Sequence, residues 1–307
     1  MKRFDYGGQA VIEGVMMRGE RACAVAVRTP EGQIRIHQEP LNPTIYQSNL
    51  LKLPVLRGLK MLWDSLGLGM KALLWSADVA VGDEQEGVRF SGPVAWGTVA
   101  ISLAFGIGLF FLLPAFLTGL IDRAISSSLL SNLLEGLVRL VILIGYLWLV
   151  GLMPDIRRVF GYHGAEHKTI NAYEAGAELD PESVAGYSTA HTRCGTGFLL
   201  VVVVIFILLS TLFGRPPLLL RLLTRLILIP VVAGIAYEWI KFSAHHYQQS
   251  PLIRALAAPG LALQKLTTRQ PEPAMLEVAI AALKAVLESQ AQSTVAQDNS
   301  ATSVRVN

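Results

Sequence analysis

Thr196-Gly197-Phe198-Leu199-Leu200-Val201-Val202-Val203-Val204-Ile205-Phe206-Ile207-Leu208-Leu209-Ser210-Thr211-Leu212-Phe213 decides the fold class. The stretch holds no charged residue and is built mostly from Val, Ile and Leu. At about 1.5 Å per residue, its length as a helix approaches the roughly 30 Å of a bilayer's hydrocarbon core. A helix on the surface of a soluble protein keeps one polar face, and this one has none. Three further runs read the same way. Gly92 to Ile121 is uncharged throughout, and Leu133 to Met153 carries Glu135 and Arg139 near one end. Leu218 to Ile240 carries Arg221 and Arg225 in its first half, which must snorkel or face a partner helix. Its Pro230 predicts a kink. The expectation is a mainly α integral membrane protein with about four transmembrane helices.

Composition agrees. Of 307 residues, 52% are hydrophobic and only 16% charged, and the mean hydropathy is +0.46. Soluble domains carry about 25% charged residues, so an ordinary globular enzyme is excluded. The net charge of +3 is small and dispersed, which argues against a nucleic-acid footprint. Cys23 and Cys194 are too far apart in sequence to form a disulfide framework. Met1-Lys2-Arg3-Phe4-Asp5 leads into no apolar stretch, so no signal peptide is expected, and the first ninety or so residues are assigned to the cytoplasm.

The polar segments divide the rest. Residues 1–45 form a small cytoplasmic β unit. Ala22 to Arg28 and Gln33 to Gln38 have strand character, with Thr29-Pro30-Glu31-Gly32 placed for a turn. Cys23 alternates with small apolar residues there and reads as core. Ahead of the hairpin, glycines bracket Gln9, Glu13 and Arg18, a density that predicts tight turns or close backbone approach. Residues 46–90 hold an amphipathic helix over 48–80. Pro54 stands in its first turn, Val55, Leu59, Leu62, Leu66, Met70, Leu73 and Ala77 recur at helical spacing, and Trp63 and Trp75 suit an interface. Residues 91–250 are the four-span domain with a polar loop at 154–195. Residues 251–290 are a cytoplasmic helical region, in which Pro271-Glu272-Pro273 starts a helix that runs through about Gln290 and presents Leu276, Ile280, Leu283 and Leu287 on one face. Helices 54–78 and 274–290 therefore each call for a protein partner, self-association or cover from within the chain. Residues 291–307 are polar and small and predict a disordered tail.

Lysine and arginine counts set the orientation. Arg57, Lys60, Lys71 and Arg89, then Arg157, Arg158, Lys168 and Arg193, then Lys241, Arg254 and Lys265 fall on one side. The opposite loops are short and carry Arg123, and Arg215 with Arg221. Both termini are expected in the cytoplasm.

The concentrated chemistry is His163-Gly164-Ala165-Glu166-His167, just after the second span. On a helix the two histidines share a face one turn apart, as when two imidazoles grip one zinc ion. H-x-x-E-H is the inverted form of the H-E-x-x-H zinc motif, whose glutamate takes a proton from metal-activated water. Glu166 is thus the candidate general base. His191 and Cys194, at the mouth of the third span, are candidates for a further ligand. Glu174, Glu238, Glu13 and Gln9 are candidates for a supporting layer or an alternative ligand. The cofactor expected is a divalent metal, zinc by the motif. The bland reading of the same residues is a solvated or hydrogen-bonded interface cluster.

Longer motifs carry a resemblance. Gly7 to Gly19 resembles the opening signature of the YqhQ-like bacterial membrane proteins, a family of unknown function. Tyr162 to Lys168 resembles its central motif. His191 to Thr196 resembles its next block, with Thr192 where the family has proline. Pro259-Gly260 through Thr267-Thr268-Arg269, and Glu277 to Leu283, resemble its C-terminal block. The resemblance implies the bacterial cytoplasmic membrane and a predicted metal-dependent enzyme, a label that rests on the same histidines. Two function classes follow: a metal-dependent, hydrolytic membrane enzyme, or a non-catalytic factor that assists membrane-protein assembly or acts as a scaffold. A transporter ranks third, since no internal repeat or pair of broken helices is visible.

Overall fold

Alternation along Cys23-Ala24-Val25-Ala26-Val27 gives one strand two different faces. In the computed structural model, which describes residues 6–41, 53–82, 93–121, 124–214 and 216–304, this strand lies inside a four-stranded antiparallel sheet. Its strands are β1 (Gly7–Val11), β2 (Gly14–Arg18), β3 (Ala22–Arg28) and β4 (Ile34–Pro40), in sequential order. Val25 and Val27 pack with Val11 and Met16 against Ala72 and Val79 of helix α1 (Leu56–Val81). Ala24 and Ala26 face the other way and pack with Val15 and Met17 against Leu276, Leu283 and Val286. Those three belong to α10 (Pro273–Val304). Small residues on that face let the helix press close.

The expected β3–β4 hairpin is present, and its turn closes through Gly32 N–H donating to Thr29 O, with Gly32 at φ 87°. The glycine-rich segment before it turns out to be a second hairpin. A Cβ on Gly14 would run into the Ala26 carbonyl, so the close approach predicted from glycine density holds there. Cys23 is buried, and burial pushes its thiol up to about 11, which leaves it inert at neutral pH. The sheet covers the α10 face on which Leu276, Ile280, Leu283 and Leu287 lie, so that face is partnered within the chain. Helix α10 continues past Gln290 to Val304, through the stretch read as a disordered tail. Alanine and glutamine, which recur there, are good helix formers.

Among the described residues, four helices are long and apolar enough to cross a membrane. The first combines α2 (Pro93–Ile107), a π-helical turn at Gly108–Leu112 and α3 (Leu113–Ile121). The others are α4 (Ser128–Val150), α7 (Gly195–Leu212) and α8 (Leu218–His246). Between α4 and α7 lie α5 (Pro154–Ala175) and the short α6 (Pro181–Ala185). Helix α9 (Pro251–Thr267) packs back against α7. Helix α1 starts at Leu56, two residues after Pro54, so the proline stands just outside its first turn. Val55 caps it at φ 69°, pressed against Gly234 of α8, and that contact overrides the proline's preference for a first turn. Lys52, Arg89, Arg123, Arg215 and the expected helix start at 48–52 lie outside the described residues.

Arg221 and Arg225 do not snorkel. Both are at most 1% exposed and converge with Arg139 on the Glu135 carboxylate. Glu135 Oε1 accepts from Arg139 Nη2 at 2.8 Å and Arg225 Nε at 2.9 Å, and Oε2 accepts from Arg221 Nε at 3.0 Å. In a bilayer every buried polar group needs a protein partner, and this network ties α8 to α4. It reaches the first span as well, because Arg139 Nε donates to Phe110 O at 2.8 Å within the π turn. A π turn breaks the regular i→i−4 ladder, the setting in which a carbonyl can serve an outside donor.

Candidate metal centre

Helix α5 is polar in sequence, yet it is buried from Gly161 to Ile170 except at His163. Its apolar contacts to the sheet module run through Tyr162 and Ala165. Its polar side chains hold down the 185–190 loop. Lys168 Nζ donates to the Ala185 and Tyr187 carbonyls, each at 2.6 Å, and Asn171 Nδ2 to Ser188 O and Ala190 O at 2.9 and 3.0 Å. Burial lowers the Lys168 pKa.

The two histidines are oriented by backbone carbonyls. His163 Nδ1 lies 2.8 Å from Thr267 O and His167 Nδ1 lies 2.6 Å from Thr189 O. A carbonyl only accepts, so each Nδ1 carries the proton. In the neutral rings this leaves both Nε2 lone pairs facing inward, the arrangement found in metal-ligating histidines. Cys194 supplies the third donor. It caps α7, with Sγ accepting from Thr196 N–H at 3.4 Å. That position puts sulfur at the positive end of the α7 dipole. His163 Nε2 stands 3.3 Å from Cys194 Sγ. One ligand atom each from His163, His167 and Cys194 lies within 4.8 Å of the others. Glu166 Oε2 is 3.4 Å from His167 Nε2. Its side chain lies close against β1, an approach that Gly8 permits, since a Cβ there would come within 2.8 Å of Glu166 Cγ.

His191 does not join the group of three. Its ring sits 5.6 Å from that of His167, and among the described residues its buried Nε2 makes no hydrogen bond, standing 3.8 Å from Glu174 Oε2. Gln264 fixes its backbone at both ends, accepting from His191 N–H and donating to His191 O, each at 2.9 Å. Glu174 is held by Arg193. Burial alone would raise its pKa, but the His191 ring and the Arg193 guanidinium draw it down to about 2. Three of the candidates lie elsewhere. Glu13 pairs with Arg158 and accepts from Tyr162 Oη at 3.2 Å. Glu238 pairs with Arg57 of α1. Gln9 packs its amide against Gly69 of α1. Sequence reasoning missed Gln264, Lys168, Asn171 and the Thr267 and Thr189 carbonyls. A run of polar residues along α5 was the available signal for Lys168 and Asn171. Carbonyl roles leave no mark on side-chain identity.

Residues 53–289 match the model of a family described as a protein of unknown function, DUF1385. The chain belongs to this family. It is 35% identical over 299 residues to a Bacillus subtilis (strain 168) protein titled "Uncharacterized protein YqhQ", and the match covers 94% of each chain. The titles of both name no activity. No solved structure matches. The family match spans α1 and runs into α10.

Proposed function

We propose that the protein is a metal-dependent membrane enzyme of hydrolytic type, with a divalent cation, zinc first, held by His163 Nε2, His167 Nε2 and Cys194 Sγ. The observation that carries this is that one ligand atom from each of the three residues lies within 4.8 Å of the others, with both histidines' Nδ1 atoms spent on carbonyls. Two imidazoles and a thiolate are a donor set that suits zinc. When bound, such an ion polarises water or a substrate oxygen. Glu166 takes the proton from the water and returns it to the leaving group at Oε2. Gly8 makes room for the carboxylate, since a Cβ there would collide with it. His191 and Arg193, with Glu174 between them, form the adjoining polar wall.

A purely structural metal staple is the second reading. It is favoured by the burial of His167, Cys194 and Glu166 and by the way the cluster joins α5 to the start of α7. One set of measurements separates the readings. Gently extracted protein is expected to hold about one zinc per chain by mass spectrometry, and His163→Ala, His167→Ala and Cys194→Ser to lose it. Glu166→Gln is expected to keep the metal and the melting temperature yet fail to complement a deletion strain. Intact protein without stoichiometric metal ends both readings. A Glu166→Gln variant that complements fully leaves the staple.

The topology proposed has both termini cytoplasmic. Arg221, counted on the opposite side, is consumed by Glu135 inside the bundle, so it no longer weighs against this orientation. Helix α1 then lies along the cytoplasmic face. Its small residues Gly58, Gly69, Ala72 and Ser76 are buried, and Leu56, Trp63, Leu66 and Met70 stand out on the other side. Contact with α8 at Tyr237 carries that apolar stripe to the membrane edge, and Lys60 and Lys71 suit anionic headgroups. A variant keeping Trp63 as its sole tryptophan is expected to be quenched by brominated lipid in vesicles. Fluorescence indifferent to bromination would take α1 off the membrane.

A further inference from the structure

The hydrogen bonds at the two ends of β4 fix which of its backbone groups face outward. Thr29 N–H donates to Gln33 O and Leu41 N–H to Arg21 O, each at 2.8 Å, so the odd-numbered residues of β4 bond to β3. Backbone groups alternate sides along a strand, and the N–H and C=O groups of Ile34, Ile36 and Gln38 therefore point away from the sheet. Among the described residues no strand lies beyond them. The opposite edge, β1, packs against α5. An uncovered edge strand is a template for another strand.

There is room beside β4 for one. A groove of about 490 Å³ runs between β4 and α10, with Ile36 and Gln38 on one wall and Ala281, Lys284, Ala285 and Glu288 on the other. Ile36 is 46% exposed there. Gln38 Nε2 donates to Ala285 O at 3.1 Å, which sets the strand against the helix. Lys284 and Glu288 are both exposed, one helical turn apart along the rim.

We propose that two copies of this chain pair antiparallel through β4 and join their sheets into one. A two-fold axis at His37 sets Ile36 opposite Gln38 of the second copy, and the outward groups of the two strands meet in about four backbone hydrogen bonds. Gln38 lies under Ala285, so the same axis runs between Lys284 and Glu288. It sets Lys284 facing Glu288 of the second copy, and Glu288 facing its Lys284. A surface whose charge order matches its own reverse fits a copy of itself. Pro40, which has no N–H to give, falls at the end of the paired segment. The layering of the fold allows the axis. Helix α1 covers one face of the sheet and α10 the other. With α1 on the membrane, as proposed above, an axis normal to the sheet is also normal to the bilayer, and both copies keep the same orientation in it.

The test uses the full chain in native membranes, in a Cys23→Ala background. His37 meets its own copy at a non-hydrogen-bonded position, where Cα atoms stand about 4.5 Å apart, within disulfide range. His37→Cys is therefore expected to give a disulfide-linked dimer under mild copper–phenanthroline oxidation. In the same register, residues 35 and 39 each lie about 13 Å from their own copies. Arg35→Cys and Glu39→Cys are expected to cross-link about tenfold less or lower still. Lys284→Glu is expected to weaken the dimer by about threefold or more, and Lys284→Glu with Glu288→Lys to restore it. Cross-linking of Arg35→Cys or Glu39→Cys equal to that of His37→Cys overturns the proposal, as does a double charge reversal that restores nothing. Capture of a different protein by His37→Cys, in place of its own copy, overturns it too. Independently of any variant, a fluorescent fusion of the wild type in polymer-extracted membrane discs is expected to bleach in pairs of steps, and single steps throughout would refute the dimer.

Discussion

Replacing Glu135 by glutamine is expected to abolish accumulation of the folded protein in the membrane. The carboxylate is the shared acceptor for Arg139, Arg221 and Arg225, and none of the four side chains is more than 1% exposed. Glutamine keeps the size and removes the charge, so three guanidiniums would face one another in a low dielectric. Breaking one buried ion pair by removing a partner costs about 3–5 kcal/mol, and here the loss falls on several pairs at once. Total stability of a domain is about 5–15 kcal/mol, so the variant stands at or beyond the limit. Neutralising an arginine in the same background, as in Glu135→Gln with Arg225→Gln, removes one of the repelling charges and is expected to restore part of the yield. Size-exclusion profiles of a fluorescent fusion would report both. A Glu135→Gln variant with wild-type yield and melting temperature would mean that the network contributes little to assembly of the bundle.

The sequence shows half of this network. Glu135 and Arg139 are four apart on one helix, and Arg221 and Arg225 stand out in an apolar run, so each pair is visible alone. Their meeting depends on α7 packing against both α4 and α8, so that the arginines reach a carboxylate more than 80 residues away, and no periodicity encodes that arrangement. The four spans are legible because hydropathy is a local property. The hairpin at Gly7–Arg18 is less so, because its turn residues Ile12 and Glu13 lack the usual glycine or asparagine. Glu13 instead takes φ 52°, with its side chain held by Arg158 and Tyr162. The site divides in the same way. His163, Glu166 and His167 are given by spacing along one helix, and Cys194 stands with His191 as an alternative ligand at the mouth of a span. The choice between Cys194 and His191 depends on how the 185–194 loop is pinned to α5, which is set by carbonyls. Helix α1 could be read as amphipathic, but only the fold shows that its small-residue face is the buried one.

Gly164→Ala is expected to destabilise the protein and remove its metal, although helix propensity alone predicts the opposite sign. In an open helix interior, alanine for glycine gains about 1 kcal/mol. Gly164 sits inside α5, between the first histidine and the glutamate, and a Cβ there would overlap the carbonyl oxygen of Arg269. That obstacle is backbone, so no rotamer change relieves it. The segment after α9 would have to move, and two hydrogen bonds fix it to α5 beside the clash. Arg269 N–H donates to Phe160 O at 2.9 Å, and Thr267 O accepts from His163 Nδ1 at 2.8 Å. Pushing it away breaks the bond that orients the first proposed ligand. Overpacking of this kind costs about 1–3 kcal/mol, more than the propensity gain. Gly67→Ala is the control. It lies on exposed helix α1 with nothing within 4 Å of its Cβ position, so it should gain stability by about the propensity difference and keep its metal. Melting temperature and zinc content of both variants decide the matter. If both gain stability and both hold zinc, the close approach of α5 to the 267–269 segment does not exist in the folded protein, and the tautomer argument for His163 goes with it.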